Sequence, residues 1–222
     1  MIIFLNKIFS INKPTDITSF GVVKEVKKHL YKIKVGHAGT LDPFATGVLV
    51  ICTGKKTKES NHLMSFKKEY IAEVHLGVKT DTLDPTGRVT ETSKVPNLNL
   101  DIINNVLDTY LGTIDQIPPM FSALKIKGER LYKKARRGLV VDRDPRKIKI
   151  YDINLLRYSS NILKLKIKCG KGTYIRSLAR DIASDLNTVG HLKSLVRSKV
   201  GPFNLKNSVN IKELEQWILS QK

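Results

Sequence analysis

Gly36-His37-Ala38-Gly39-Thr40-Leu41-Asp42-Pro43-Phe44-Ala45-Thr46-Gly47 runs directly into Val48-Leu49-Val50-Ile51-Cys52-Thr53-Gly54. Three glycines and a proline in the first twelve residues describe a tightly shaped loop. Glycine permits positive φ and close backbone approach, and Pro43 biases Asp42 towards an extended conformation. The apolar run from Val48 to Thr53, bounded by glycines, predicts a short strand buried on both faces. Asp42 is therefore expected on a rigid turn against a strand end. Taken singly, an Asp before a Pro is a turn former.

On either side of this segment helical and strand periodicities interleave, which predicts a mixed α and β fold. Thr18-Ser19 can cap a helix that buries Val22, Val23, Val26 and Leu30 and leaves Lys24, Lys27 and Lys28 in solvent. Alternation from Tyr70 to Val78 predicts a strand with Tyr70, Ala72, Val74, Leu76 and Val78 on one face. Leu100, Ile103, Leu107, Tyr110 and Leu111 mark a helix that Gly112 could terminate. Leu163, Leu165, Ile167 and Cys169 alternate with lysines as a half-buried strand. Gly170 and Gly172 then turn into a helix carrying Ile175, Leu178, Ala179, Ile182 and Leu186. Asn210 with Glu213 resembles a capping box for a last helix that buries Ile211, Leu214, Trp217 and Ile218.

The 222 residues carry 39 Lys and Arg against 20 Asp and Glu, a formal charge of +19. An excess of this size attracts polyanions, nucleic acid first among them, although part of it reflects a lysine-rich composition. The charge is uneven. Between Asn97 and Ala123 there is no Lys or Arg, whereas residues 124–150 hold eleven of them, from Lys125 and Lys127 to Arg143 and Lys149, against Glu129, Asp142 and Asp144. A block this one-sided repels itself unless something anionic docks there.

Several chemistries are excluded. Cys52 and Cys169 form no C-x-x-C and are too few for a disulfide framework. Lys55 follows Gly54 as in a phosphate-binding loop, but Leu49 and Lys56 stand where that loop needs a Gly and a Ser or Thr. His29, His37, His62, His75 and His191 form no metal-binding pair, which makes a zinc deaminase untenable, and no G-x-S-x-G elbow occurs. Lys7 interrupts the apolar start Met1–Leu5, so no signal peptide is expected, and no apolar run reaches the ~20 residues of a membrane helix. A soluble, cytoplasmic protein is expected, without metal. Its chemistry must come from carboxylate, Tyr, Arg or Lys.

The string GHAGTLDPFATGVL resembles the catalytic motif of TruB-type tRNA pseudouridine(55) synthases, and the likeness continues along nearly the whole chain. Lys13-Pro14 with Thr18-Ser19 resembles the family's K-P-x-G-x-T-S segment, with Asp16 in place of the usual Gly. Lys68-Glu69-Tyr70, Leu76-Gly77, Thr80-Asp81-Thr82-Leu83-Asp84 with Gly87, and Gln116 through Lys125 follow in family order. Lys171-Gly172-Thr173-Tyr174-Ile175-Arg176, Gly190-His191-Leu192, Leu195-Val196-Arg197 and Val200-Gly201-Pro202-Phe203 complete the set.

The resemblance implies an α+β pseudouridine synthase fold, with a central, mixed, mostly antiparallel sheet flanked by helices and the active site in a cleft. It implies an enzyme that breaks the N-glycosidic bond of uridine 55 in the tRNA T loop and reattaches the base through C5, without cofactor or metal. In the family the Asp of L-D-P is the nucleophile, which is Asp42 here. Attack on ribose C1′, attack on C6 and abstraction of a ribose proton all remain open to it. Arg176 is expected to pair with Asp42 and keep it ionised, and Tyr70 to stack on the target base and help remove the C5 proton. Tyr174, Leu195 and Lys13 match substrate-contacting positions, and His37 matches the ring that enters the RNA fold once the uridine is flipped out. The basic block at 124–150 matches the family's RNA-gripping insertion. Val196 stands before Arg197 where the family commonly has a first of two arginines, so one RNA or structural contact of the family is not expected here. The expectation is a single catalytic domain over 1–222, a monomer, lacking the C-terminal PUA-like RNA-binding domain of many members. A non-catalytic RNA-folding protein on the same scaffold is the alternative; joint retention of Asp42, Tyr70 and Arg176 favours catalysis.

Overall fold

The computed structural model describes residues 6–30, 32–126 and 128–220. The apolar start Met1–Leu5 and Lys127 of the basic block lie outside the described residues. The chain divides into two compact units, one formed by residues up to Ile71 together with those from Leu195 onwards, the other by Ala72–Ser194.

The first unit opens with β1 (Ile8–Lys13), α1 (Ser19–His29), β2 (Val35–Ala38), β3 (Thr46–Thr53) and α2 (Ser60–Ser65), followed by β4 (Lys68–Leu76), which carries the chain into the second unit. β3 is the strand anticipated after the Asp42 loop, and every residue from Gly47 to Thr53 is buried. Antiparallel β1 pairs with it from Ile8↔Cys52 to Lys13↔Gly47, and antiparallel β2 from Val35↔Thr53 to Ala38↔Val50. Strand alternation then supplies a core on each face. Leu49 and Ile51 meet Val22, Val23 and Val26 of α1 with Phe9 and Ile11, whereas Val48, Val50 and Cys52 meet Ala38, Leu63 and Val200. Helix α1 starts as expected, with the Thr18 side chain accepting a hydrogen bond from Gly21 N.

The second unit holds β5 (Val78–Thr80), β6 (Val89–Thr92), α3 (Leu100–Asp108), β7 (Gly112–Gln116), β8 (Lys125–Ile126), β9 (Glu129–Arg130), α4 (Leu131–Arg136), β10 (Arg146–Ser159), β11 (Ile162–Cys169) and α5 (Ile175–Asp185). Its long strand β10 pairs antiparallel with β11 on one edge and with β7 on the other. Helix α5 buries Ile175, Leu178, Ala179, Ile182 and Ala183, and α3 buries Ile103 and Leu107. β12 (Gly190–Val200) returns the chain to the first unit, where its end runs parallel to β3 through Val196↔Thr46 and Arg197↔Gly47. There β13 (Phe203–Asn204), β14 (Val209–Asn210) and α6 (Leu214–Ser220) complete the order, β14 parallel to β1 and β13 antiparallel to β12. The sheets are mixed, mostly antiparallel and flanked by helices: the fold is α+β.

Local expectations fail where a glycine or a cap intervenes. The strand expected to reach Val78 stops at Leu76, because Gly77 turns the chain at φ +87°. Asn99, unrecognised in the sequence, caps α3 by accepting from Ile102 N, while Leu100 and Leu111 are exposed rather than core. Asn210 caps no backbone amide; its Nδ2 donates to Glu213 Oε2 at 3.3 Å, and a single 3-10 turn precedes α6. Among the described residues no helix is long and apolar enough to cross a membrane, and no cluster of His, Cys, Asp or Glu could hold a metal ion.

Candidate active site

Asp42 is positioned through the main chain on both sides of it. Ser19, in the first turn of α1 and buried, accepts a hydrogen bond from Leu41 N at 2.8 Å and donates to Leu41 O at 3.0 Å. On the other side Pro43 O accepts from Asp16 N at 2.9 Å and from Lys13 Nζ at 3.0 Å. Ala45 N closes the Asp42-Pro43-Phe44-Ala45 turn on Asp42 O at 3.2 Å, with proline where such a turn wants a fixed φ. The half-buried carboxylate is thus carried on a segment that cannot slide.

Arg197 holds the root of the same loop. Its side chain is 1% exposed and donates Nε to Val48 O at 2.7 Å, Nη2 to Gly39 O at 3.0 Å and Nη1 to Thr40 O at 3.4 Å. Gly47 explains how β12 comes so close: with φ +109°, a Cβ there would stand 2.3 Å from Arg197 O.

Lys13, matched above to a substrate-contacting position, is held inside the loop. It is 0% exposed, and Nζ donates to Pro14 O at 2.7 Å, Ile17 O at 2.8 Å and Pro43 O at 3.0 Å, which uses all three of its protons. Burial lowers its pKa to about 8, opposed by attraction to Asp42 and Asp16. His37 lies on β2 with Nδ1 buried and without a hydrogen-bond partner among the described residues, and burial with the nearby Arg197 charge lowers its pKa, favouring a neutral ring. Tyr70 sits on the inward face of β4 and Leu195 on β12, both buried.

Tyr174 and Arg176 belong to the second unit, at the start of α5. Buried Gln116 grips the Tyr174 main chain twice, accepting from its N at 2.9 Å and donating to its O at 3.1 Å. Arg176, 5% exposed, donates to Thr82 O at 3.0 Å and Phe121 O at 2.9 Å, and its Nη1 lies 3.3 Å from Asp84 Oδ2. Asp84 is itself fixed, its Oδ1 accepting from Thr82 Oγ1, Thr86 N and Thr86 Oγ1. Gly87 keeps this turn closed, since a Cβ there would lie 2.3 Å from both Asp81 Oδ1 and Thr82 Oγ1. Ser19, Asp84, Gln116 and Arg197 were not assigned positioning roles from sequence. Asp84 had a usable signal, an Asp inside Thr80–Gly87, a run as rich in turn formers as the Asp42 loop.

The basic block spans β8, β9, α4, the loop after it and the start of β10. Arg136 lies over the Tyr132 ring at 5.5 Å, and Lys149 over the Tyr151 ring at 5.3 Å, so cations and aromatic faces are interleaved. A concavity in the block is lined by Lys125, Gly128, Glu129, Arg130, Tyr132 and Lys133.

Residues 27–175 match the model of the TruB family pseudouridylate synthase N-terminal domain. A protein of Dehalococcoides mccartyi named tRNA pseudouridine synthase B is 47% identical over 212 residues, covering 95% of this chain and 70% of that protein. One of Francisella tularensis with the same name is 45% identical over 219 residues, covering 98% of this chain and 72% of that protein. Among solved structures, a Cbf5-Nop10-Gar1 complex contains a chain with TM-score 0.76 and 29% identity, matched over 97% of this chain and 55% of its own length. An H/ACA RNP bound to a substrate RNA containing 2′-deoxyuridine gives TM-score 0.72 and 26% identity, over 97% of this chain and 54% of that one. The present chain thus spans little more than half of those solved chains.

Proposed function

The chain belongs to the TruB family of pseudouridylate synthases, and from that premise we propose that it converts uridine 55 in the T loop of tRNA to pseudouridine, with Asp42 as nucleophile. The observation that carries this reading is the clamp on the Asp42 loop. Ser19 fixes Leu41, while Lys13 and Asp16 fix Pro43, so one carboxylate is aimed by its own backbone. A turn with no chemical task has no use for that much support.

The reaction requires the N1–C1′ bond to break, the uracil to rotate and a C5–C1′ bond to form, after which the C5 proton leaves. An ionised carboxylate serves each of the three routes that begin it: addition at C1′, addition at C6, or removal of a ribose proton. By the family resemblance Arg176 is the residue assigned to keep the nucleophile ionised; within its own unit its Nη1 lies 3.3 Å from Asp84 Oδ2, which holds the guanidinium in place. By the family resemblance Tyr70 stacks on the uracil and serves the C5 proton, and Tyr174 and Leu195 are substrate-contacting residues. His37, held neutral, fills the space left by the extruded uridine. The cationic block at 124–150 grips the T arm, the enzyme acts as a monomer in the cytoplasm, and no step calls for a cofactor.

The test is Asp42→Asn, assayed by proton release from tRNA labelled with tritium at uracil C5. Turnover should vanish while tRNA affinity stays within a few-fold. Undiminished release would remove Asp42 from the mechanism. A wild-type protein that binds tRNA without any release would favour the non-catalytic RNA-folding reading.

A further inference from the structure

Phe20 is an aromatic residue without a core to join. It is 57% exposed in the first turn of α1, beside the stripe of buried Val22, Val23 and Val26. Lys24, Lys27 and Lys28 continue its face at the i+4, i+7 and i+8 positions, so an exposed ring heads a basic stripe. Lys24 Nζ lies 5.6 Å from the centre of the Phe20 ring. Lys28 is paired with Glu25 at 2.8 Å, whereas among the described residues Lys24 and Lys27 meet no carboxylate.

The position of this stripe follows from the clamp on the Asp42 loop. Ser19 immediately precedes Phe20 and bonds both main-chain groups of Leu41, which immediately precedes Asp42. The exposed ring is therefore tied to the proposed nucleophile through one residue on each side. Extruding a uridine leaves its neighbours without a stacking partner, and an exposed aromatic face one residue from the anchor of the Asp42 loop can replace one whatever the neighbouring base. A partner protein with an apolar surface would have to desolvate the ammonium groups beside the ring, which is unfavourable, whereas phosphates complement them.

We propose that Phe20 and Lys24 form a stacking platform for an unpaired nucleotide of the substrate RNA next to the extruded uridine, the ring taking the base and Lys24 the adjacent phosphate. This rests on the RNA-modifying function proposed above. Phe20→Ala should weaken binding of a T-arm RNA hairpin about tenfold, the loss of one stacked base. Phe20→Trp should restore affinity, and the introduced indole should be quenched by the hairpin, against the wild-type background of Trp217 alone. Lys24→Gln should lower the slope of log Kd against log salt by about one. Circular dichroism establishes that Phe20→Ala folds; if it does not, the quench in Phe20→Trp decides. Two results overturn the platform and leave the function standing, provided the parent enzyme still releases C5 tritium: wild-type affinity in a folded Phe20→Ala, or emission from Phe20→Trp that the hairpin quenches no more than it quenches the wild type. A wild-type protein that releases no tritium overturns the function beneath it.

Discussion

The Asp42 carboxylate depends on residues that never need to touch substrate. Arg197 spans three carbonyls with a rigid fork, a geometry a lysine cannot copy. Arg197→Lys is expected to lower turnover about a hundredfold, the scale of a misplacement near 1 Å, while tRNA affinity measured by filter binding changes little. Asp84→Asn keeps the shape of the turn but removes the charge beside Arg176, and should lower kcat far more than it raises KM. Lys13 titrates in an accessible range. Its folded pKa of about 8 lies below the ordinary 10.5, so the cost of burying its charge is present in full below pH 8 and is relieved as pH rises to 10.5. Urea midpoints of the wild type should therefore rise across that window relative to Lys13→Met, which has no such proton to lose. Asp42 was legible in the sequence because its loop resembles the family's L-D-P motif; the glycines and the proline alone mark only a shaped turn. Its supports were not, since a serine after a helix cap or an arginine inside a strand acquires meaning only from a neighbour far along the chain.

Elements were read well where burial is periodic and poorly where one residue decides a boundary. β3, β11 and α5 follow directly from continuous, alternating and 3.6-residue patterns, because the core selects those periods. Gly77 and Asn99 set element ends through a positive φ and a side-chain cap, neither of which hydrophobicity registers. Gly47 is the sharpest case of such single-residue control. It ends the Asp42 loop, lies at the start of β3 and admits the Arg197 backbone where no Cβ fits. Gly47→Ala combines a strained φ with overlap against main-chain atoms, and is expected to cost at least ~2 kcal/mol by chemical denaturation. If stability were unchanged, the close approach of β12 to β3 would be wrong.

At the scale of the whole molecule, the +19 charge has local addresses: a block where lysines and arginines alternate with Tyr132 and Tyr151, and the outer face of α1. About six phosphate contacts would give a slope near five in log Kd against log salt, and a slope below two would assign most of the excess to composition. The Arg197 anchor also orders events in time. Its bonds to Val48, Thr40 and Gly39 join residues 149, 157 and 158 positions apart, among the longest separations in the fold. Closing a segment of that length is slow compared with forming a hairpin or a helix. A refolding chain should therefore regain far-ultraviolet dichroism before it regains turnover: the loop that carries the proposed nucleophile is set late, and the lag between the two signals measures how late.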